Sequence, residues 1–591
     1  MNDTHFHFSP RTNRANEIRW NEWSGEAFDR ARAENKPVLL GISAVWCHWC
    51  HVMDETTYSQ PEVIAFINER FIAIRVDNDR RPDINARYNQ GGWPTTAFLT
   101  PEGVMLAGAT YVPPAQMLSM LAQVERYFNE HREHIAAEAA ALSGTVEPRE
   151  ELAHPLLETA IARVAEDITD RYDEQYGGFG SEPKFPMTDA LEFLLFEYRV
   201  GGDERLYKIV ARSMLGMSRG GMYDHVEGGF YRYSTTRDWS IPHFEKMTED
   251  HGGLLRVLAQ LFATSANPDF RTTLVSASRY VRTVLFDAET LRFAGSQDAD
   301  EAYFALPLEE RRAREAPYVD RTSYSNWSAP MIGALFATAM ALDDDALTAQ
   351  MCAALDTLHE DMLDADGLLY HFIQPHGAPQ VRGLLCDQSA YLRALIDAHE
   401  FSGEPRFLER ARALSDRIVH TFSAPDGGFY DRAPIEDTLG ALARQDRPLA
   451  DNASIADSFL RLSLLFEASQ FRDIAERTLR LYQNTYPRAA IFAAPYARAL
   501  RRFFGGSRTI VIVGSPSKSA DLREAAHALD DPLAAIRTIA SDDAESLAER
   551  GLESTGVSLA YPCSGRTCGP PADTPAKLAA AYETLTHRPG I

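Results

Sequence analysis

Between Pro155 and Phe504 apolar residues recur at a 3.6-residue spacing in about twelve segments, and the connectors between them alternate in length and chemistry. The spacing predicts helices over 155–173, 187–200, 204–219, 248–266, 269–286, 326–342, 344–363, 386–402, 405–422, 452–469, 472–486 and 491–504. Short connectors such as Gly201-Gly202-Asp203, Ala266-Asn267-Pro268, Asp343-Asp344 and Ser402-Gly403-Glu404 tie the helices into pairs. Long connectors share a pattern: Asp173 to Phe179, Asp224 to Tyr231, Asp287 to Phe293, Asp366 to Tyr370 and Asp426 to Tyr430. Such near-periodicity means a repeat architecture, in which each hairpin buries its apolar face only against its neighbours. Six hairpins closing on themselves give an all-α (α/α)6 toroid over residues 150–505, with short loops on one rim and long loops on the other.

Function is expected on the long-loop rim, because loops carried by a rigid scaffold supply most binding residues. The unusual residues cluster there: Lys184, Tyr231, Tyr233, Trp239, His243, Glu245, Asp298, Asp300, Trp327 and Asp387. Rings mixed with carboxylates and a histidine suit a carbohydrate, which stacks its C–H faces on aromatics and hydrogen-bonds through hydroxyls. His243 and Glu245 are the leading catalytic candidates, with Asp298 and Asp300 as an acid and base pair for glycoside cleavage. The competing reading is structural: these aspartates close turns, and Lys246 neutralises Glu245 in a buried pair.

The amino-terminal stretch Val45-Trp46-Cys47-His48-Trp49-Cys50-His51 follows the apolar run Val38 to Ser43, read as a buried parallel strand, and leads into a helix. A Cys-x-x-Cys at a strand-to-helix junction puts the first sulfur beside unpaired N–H groups and the positive end of a helix dipole. Both favour thiolate, so Cys47 is expected to be the exposed attacking sulfur and Cys50 the buried resolving one. His48 and Trp46 tune the site, and Trp93-Pro94, just before a strand, is a candidate cis peptide shaping the groove. The alternative is a zinc site using Cys47, Cys50 and His51. Asp77 to Asp83 reads as a solvated loop.

Lys36 to Pro114 resembles thioredoxin, and more closely the thioredoxin-like domain of the spermatogenesis-associated thioredoxin-domain protein family. The residues that carry this are Cys47 to Met53, Arg81-Pro82-Asp83, Gly91 to Pro94 and Phe98 to Pro101, joined later by Gly178-Phe179-Gly180, Pro183 to Pro186, Pro242 to Met247 and Asp298 to Asp300. The resemblance implies a thioredoxin fold fused to a toroid similar to six-hairpin glycosidases and N-acylglucosamine epimerases, with no settled reaction. The chain departs from the family between Tyr88 and Gly91, at Thr248-Glu249-Asp250-His251, and at Asn326-Trp327-Ser328.

Three domains are therefore expected: thioredoxin-like α/β over 1–140, the toroid, and a small α/β segment over 506–591 ending in Cys563 and Cys568, which are spaced for a local disulfide and form a candidate second redox pair able to exchange with Cys47. Cys352 and Cys386 read as small core residues. The formal charge of −25 argues against nucleic acid or an anionic membrane as partner. No apolar run is long enough to span a bilayer and no leader pattern is present, so a cytoplasmic location is the expectation. No cofactor or metal is expected. The leading function is thiol–disulfide exchange with a protein or small-molecule thiol partner. The alternatives are a carbohydrate-active toroid, and a non-catalytic binding protein.

Overall fold

The computed structural model describes residues 6–132, 135, 154–434, 439–554, 556–565 and 567–586. They form two compact units: residues 1–150 with 434–446, and residues 151–433 with 447–591.

In the first unit, α1 (Gly25–Glu34) starts at Ser24, whose side chain accepts from Ala27 N–H, and stops at Asn35 in the left-handed region, as the Asn-Lys-Pro sequence requires. β1 (Val38–Ser43) is buried along its whole length. It leads to α2 (His48–Glu55), α3 (Pro61–Arg70), β2 (Ile72–Asp77), α4 (Pro82–Tyr88), β3 (Thr95–Leu99), β4 (Met105–Ala109) and α5 (Pro114–Glu130). The sheet order is β2-β1-β3-β4, with β1 parallel to β2 and antiparallel to β3. This is the thioredoxin arrangement, and it carries the chain out of central β1 directly into Cys47. Residues 439–446 complete this unit: Leu442 enters its core, and Ala441 N–H donates to the Tyr88 hydroxyl, which itself donates to Gly103 O.

All twelve helices expected of the toroid are present. Six form a closed inner ring: α7 (Thr188–Gly201), α9 (Thr248–Ser265), α11 (Ser325–Leu342), α13 (Leu385–Ser402), α15 (Leu449–Phe466) and α17 (Ala494–Phe504). The others lie outside it: α6 (Thr159–Thr169), α8 (Glu204–Arg219), α10 (Pro268–Tyr280), α12 (Asp345–Met362), α14 (Pro405–Phe422) and α16 (Ser469–Arg480). The long connectors all run from an outer helix to an inner one, so every inner helix from α7 to α15 begins at the long-loop rim.

Inside the ring the side chains are ionic. Glu192 receives Arg393 and Arg498, Asp397 receives Arg256 and Arg461, and Asp457 receives Arg502, which links five of the six inner helices. The sixth supplies space, since a Cβ on Gly333 of α11 would lie 2.3 Å from Arg256 Nη2 and 2.9 Å from Asp397 Oδ2. These charges surround a cavity of about 140 Å³ whose wall also includes Ala526, His527 and Pro532 of the carboxyl-terminal segment.

That segment contains β5 (Arg508–Val513), α18 (Ala520–Ala528), β6 (Ala534–Ile539), α19 (Ala544–Glu549), β7 (Leu559–Ser564), β8 (Thr567–Cys568) and α20 (Pro575–Thr586), with sheet order β6-β5-β7-β8. It covers the short-loop rim. Arg523 donates to Phe401 O, and Arg537 and Arg550 donate to Leu465 O, satisfying carbonyls at the ends of α13 and α15. Gly333→Ala tests the ionic interior, because alanine is the better helix former by about 1 kcal/mol and would stabilise an unobstructed site. The expected result is destabilisation of about 1–3 kcal/mol in denaturant unfolding, from forced separation of Arg256 and Asp397.

Candidate functional site

Cys47 is the N-cap of α2. Its Sγ accepts from Cys50 N–H at 3.2 Å, and its carbonyl accepts from Cys50 and His51 N–H at 3.1 Å each. The two cysteines are joined by a disulfide with Cα atoms 5.2 Å apart. With both sulfurs so engaged, the zinc alternative has no thiolates to use in this state. The Trp93–Pro94 bond is cis, as the sequence suggested.

Two expectations need correction here. Cys47 is not an open sulfur: only 4% of the residue is exposed, against 2% for Cys50. Aromatic packing explains this. Trp46 lies edge-on to Trp93 at 5.6 Å, while half-exposed Trp49 packs on Tyr111 at 5.3 Å and on His48 at 5.8 Å. Nor is the charged loop after β2 simply solvated. Asp79 is buried and accepts the Trp46 indole N–H at 2.6 Å, fixing the residue before Cys47. Beneath the site, Arg75 grips Asp54 with both arms at 2.8 and 2.9 Å and stacks over Phe8. Burial lowers His51 and pushes His7 down to about 4, so both rings are neutral near pH 7.

In the toroid, several rim residues turn out to be internal supports. Asp173 accepts from Gln175 and Tyr176 N–H within its own loop and pairs with Lys184 at 2.7 Å and Arg237 at 2.8 Å. Lys184 is fully buried, and its ammonium lies 5.0 Å from the ring of buried Trp239. The next loop repeats the device: Asp224 accepts from Val226 N–H and pairs with Lys246 at 2.8 Å and Arg311 at 2.6 Å, with Lys246 over the Tyr231 and Tyr280 rings. Lys184, Trp239 and Tyr231 therefore hold loops in place, and Lys246 neutralises Asp224 rather than Glu245. Asp300 is exposed and caps a short helix by accepting from Tyr303 N–H, while Asp298 accepts from Ala299 N–H. Trp327 is buried on Tyr324, and buried Asp387 binds His371.

His243 and Glu245 do come together: His243 Nδ1 hydrogen-bonds Glu245 Oε2. The His243 ring stacks on Tyr233 at 4.8 Å, which stacks on exposed Phe185 at 4.7 Å. Glu245 is buried, and its Oε1 has no hydrogen-bond partner among the described residues.

Sequence reasoning missed a set of carboxylates at the starts of the inner helices. Asp189 opens α7, Glu249 and Asp250 open α9, and Asp451 opens α15. Desolvation raises the carboxyls of Asp189 and Glu249, reinforced at Asp189 by Glu192. Desolvation, partly offset by Arg232 and reinforced by Glu249 and Glu245, pushes Asp250 up to about 7; desolvation with Asp387 and Asp431 does the same to Asp451. The sequence signals were acid in a first helical turn, which ordinary dipole stabilisation also produces, and at Glu249 and Asp250 the departure from the family pattern at Thr248 to His251.

Residues 8–147 match the family Thioredox_DsbH, described as a protein of unknown function, DUF255. Human spermatogenesis-associated protein 20 is 25% identical over an alignment covering 95% of this chain and 89% of its own length. A thiol:disulfide interchange protein DsbD from Pseudomonas fluorescens is 34% identical over 80 residues, 13% of this chain and 14% of that protein. Cellobiose 2-epimerase from Bacillus thermoamylovorans aligns with a TM-score of 0.46 at 14% identity, over 56% of this chain and 88% of that one. The chain is thus similar along nearly its whole length to human spermatogenesis-associated protein 20, and its residues 8–147 match the Thioredox_DsbH model.

Proposed function

We propose that the first unit performs thiol–disulfide exchange at Cys47 and Cys50. The observation that carries this reading is the disulfide at the start of α2, directly after the central strand of a thioredoxin-ordered sheet. In the reducing direction the Cys47 thiolate attacks a partner disulfide, forming a mixed disulfide and releasing one partner thiolate. Cys50 then attacks Cys47 Sγ, releases the second thiolate and restores the internal disulfide; oxidation of a dithiol runs the same steps backwards. Because Cys47 is nearly covered, a partner has to seat itself against Trp49 and Trp93, which selects for an extended segment. Cys50→Ser is expected to accumulate mixed disulfides with substrate proteins, seen as reductant-sensitive bands on non-reducing gels. Cys47→Ser in the same background should abolish them; bands that persist without Cys47 contradict the proposal.

A second reading is supported by the toroid mouth, where a stacked Phe185-Tyr233-His243 ladder adjoins Glu245 and a carboxyl that stays protonated to near neutrality. A protonated Asp250 donates to a hydroxyl, and Glu245 accepts from one, so a neutral saccharide fits this chemistry. The sign follows from the raised carboxyl: Asp250 is neutral below about 7 and ionised above it, so binding that uses its proton weakens as pH rises through 7. Thermal-shift screening of neutral mono- and disaccharides is expected to find a ligand lost in His243→Ala, with its pH dependence above 7 flattened in Asp250→Asn. No stabilising saccharide, or one indifferent to both variants, would sink this reading.

A further inference from the structure

One cluster is used by neither reading. His371 lies on the strand Tyr370–Ile373, which pairs antiparallel with Ser323–Tyr324 just ahead of α11, and Cys386 and Asp387 lie in the first turn of α13. One donor atom from each of the three lies within 4.8 Å of those of the other two. We infer that His371, Cys386 and Asp387 form a binding site for a divalent transition metal ion of the zinc class.

Geometry and donor chemistry both lead there. His371 Nδ1 is 2.9 and 3.1 Å from the two Asp387 oxygens. That separation suits a hydrogen bond, and it equally suits two donors each about 2.1 Å from one shared ion at near-right angles. His371 and Asp387 are held rigidly, at 1% and 0% exposure, whereas Cys386 is half-buried and not disulfide-bonded, so solvent and ions reach the cluster from its side. The main-chain N–H of Asn326 donates to Asp387 and fixes the carboxylate, and Asn326 Oδ1 is itself buried with no hydrogen-bond partner among the described residues.

A thiolate with an imidazole selects zinc-like ions over calcium or magnesium, which take oxygen donors. Charges also balance. Binding releases the Cys386 thiol proton to solvent, so thiolate and carboxylate together neutralise the dication. If Nδ1 is the nitrogen donor, the ring proton resides on Nε2. Three protein ligands leave a fourth position for water or a hydroxylated ligand, the pattern of an open rather than a purely structural zinc site. The inference does not depend on the redox reading, since the cysteines it uses are different.

The test is cobalt titration of the full chain without reductant, so that Cys47, Cys50, Cys563 and Cys568 remain as disulfides and only Cys352 and Cys386 offer thiols. One equivalent of Co²⁺ is expected to produce near-ultraviolet thiolate-to-cobalt absorption, displaced by Zn²⁺. Cys386→Ser should remove that band and weaken binding at least tenfold, while Cys352→Ser leaves it unchanged. In the unmodified protein, Zn²⁺ should slow alkylation of Cys386 at least tenfold relative to Cys352, a readout that requires no variant to fold. Absence of saturable cobalt binding, an unchanged spectrum in Cys386→Ser, or alkylation of Cys386 indifferent to Zn²⁺ would each overturn the site.

Discussion

The start of a helix leaves main-chain N–H groups without partners, and the chemistry proposed for this protein is organised around that fact. At α2 the cap is a sulfur, with Cys50 N–H directed at Cys47 Sγ. The same field that stabilises a capping carboxylate stabilises a Cys47 thiolate there, which favours the reduced form and makes Cys47 a better leaving group from a mixed disulfide. Everything else in the first unit serves to deliver that cap: β1 runs buried through the middle of the sheet and ends where α2 begins, and Asp79 anchors the Trp46 indole so that Cys47 is presented in one orientation.

The toroid uses helix starts differently. Its long loops are held by two copies of one device, a buried aspartate that closes its own turn and binds a lysine from a following strand and an arginine from further along. Removing the buried aspartate would leave its buried lysine without a counter-charge, a strongly unfavourable change, so these loops are fixed in shape. Below them the arginine and carboxylate network fills the ring interior, and the carboxyl-terminal sheet closes the opposite rim. The rim that remains carries first-turn carboxylates at several inner helices.

The repeat, the strand leading to Cys47, the cis proline position and the paired Cys563 and Cys568 were legible in the sequence because each is a local property of spacing or residue type. Pairing across the fold was not. Nothing in Lys184 or Trp239 as residue types says that the first lies 2.7 Å from Asp173 and the second covers it, and unusual residues in loops look functional until their burial is known. Lys246 beside Glu245 in sequence suggested an ion pair, but Lys246 goes to Asp224, and Glu245, between the short strands 242–243 and 246–247, pairs with His243, two positions earlier. Asp250 was hidden for another reason: an acid in a first turn is what any helix prefers, and it is burial above all, reinforced by Glu249 and Glu245, that makes this one unusual. Cys386, expected in the core, sits half-buried next to Asp387 in the same helical turn and near His371, which comes from the strand Tyr370–Ile373.

The claim that the Cys47–Cys50 disulfide is a working redox couple and not a staple is tested most directly by its reduction potential. Equilibration of the full chain in glutathione buffers of graded ratio, followed by fluorescence of the flanking Trp46, Trp49 and Trp93, reports the couple at its own position. A helix-capping Cys47 predicts a midpoint between about −120 and −270 mV, the range spanned by exchanging Cys-x-x-Cys proteins. A midpoint below about −300 mV, where secreted structural disulfides lie, would contradict the account.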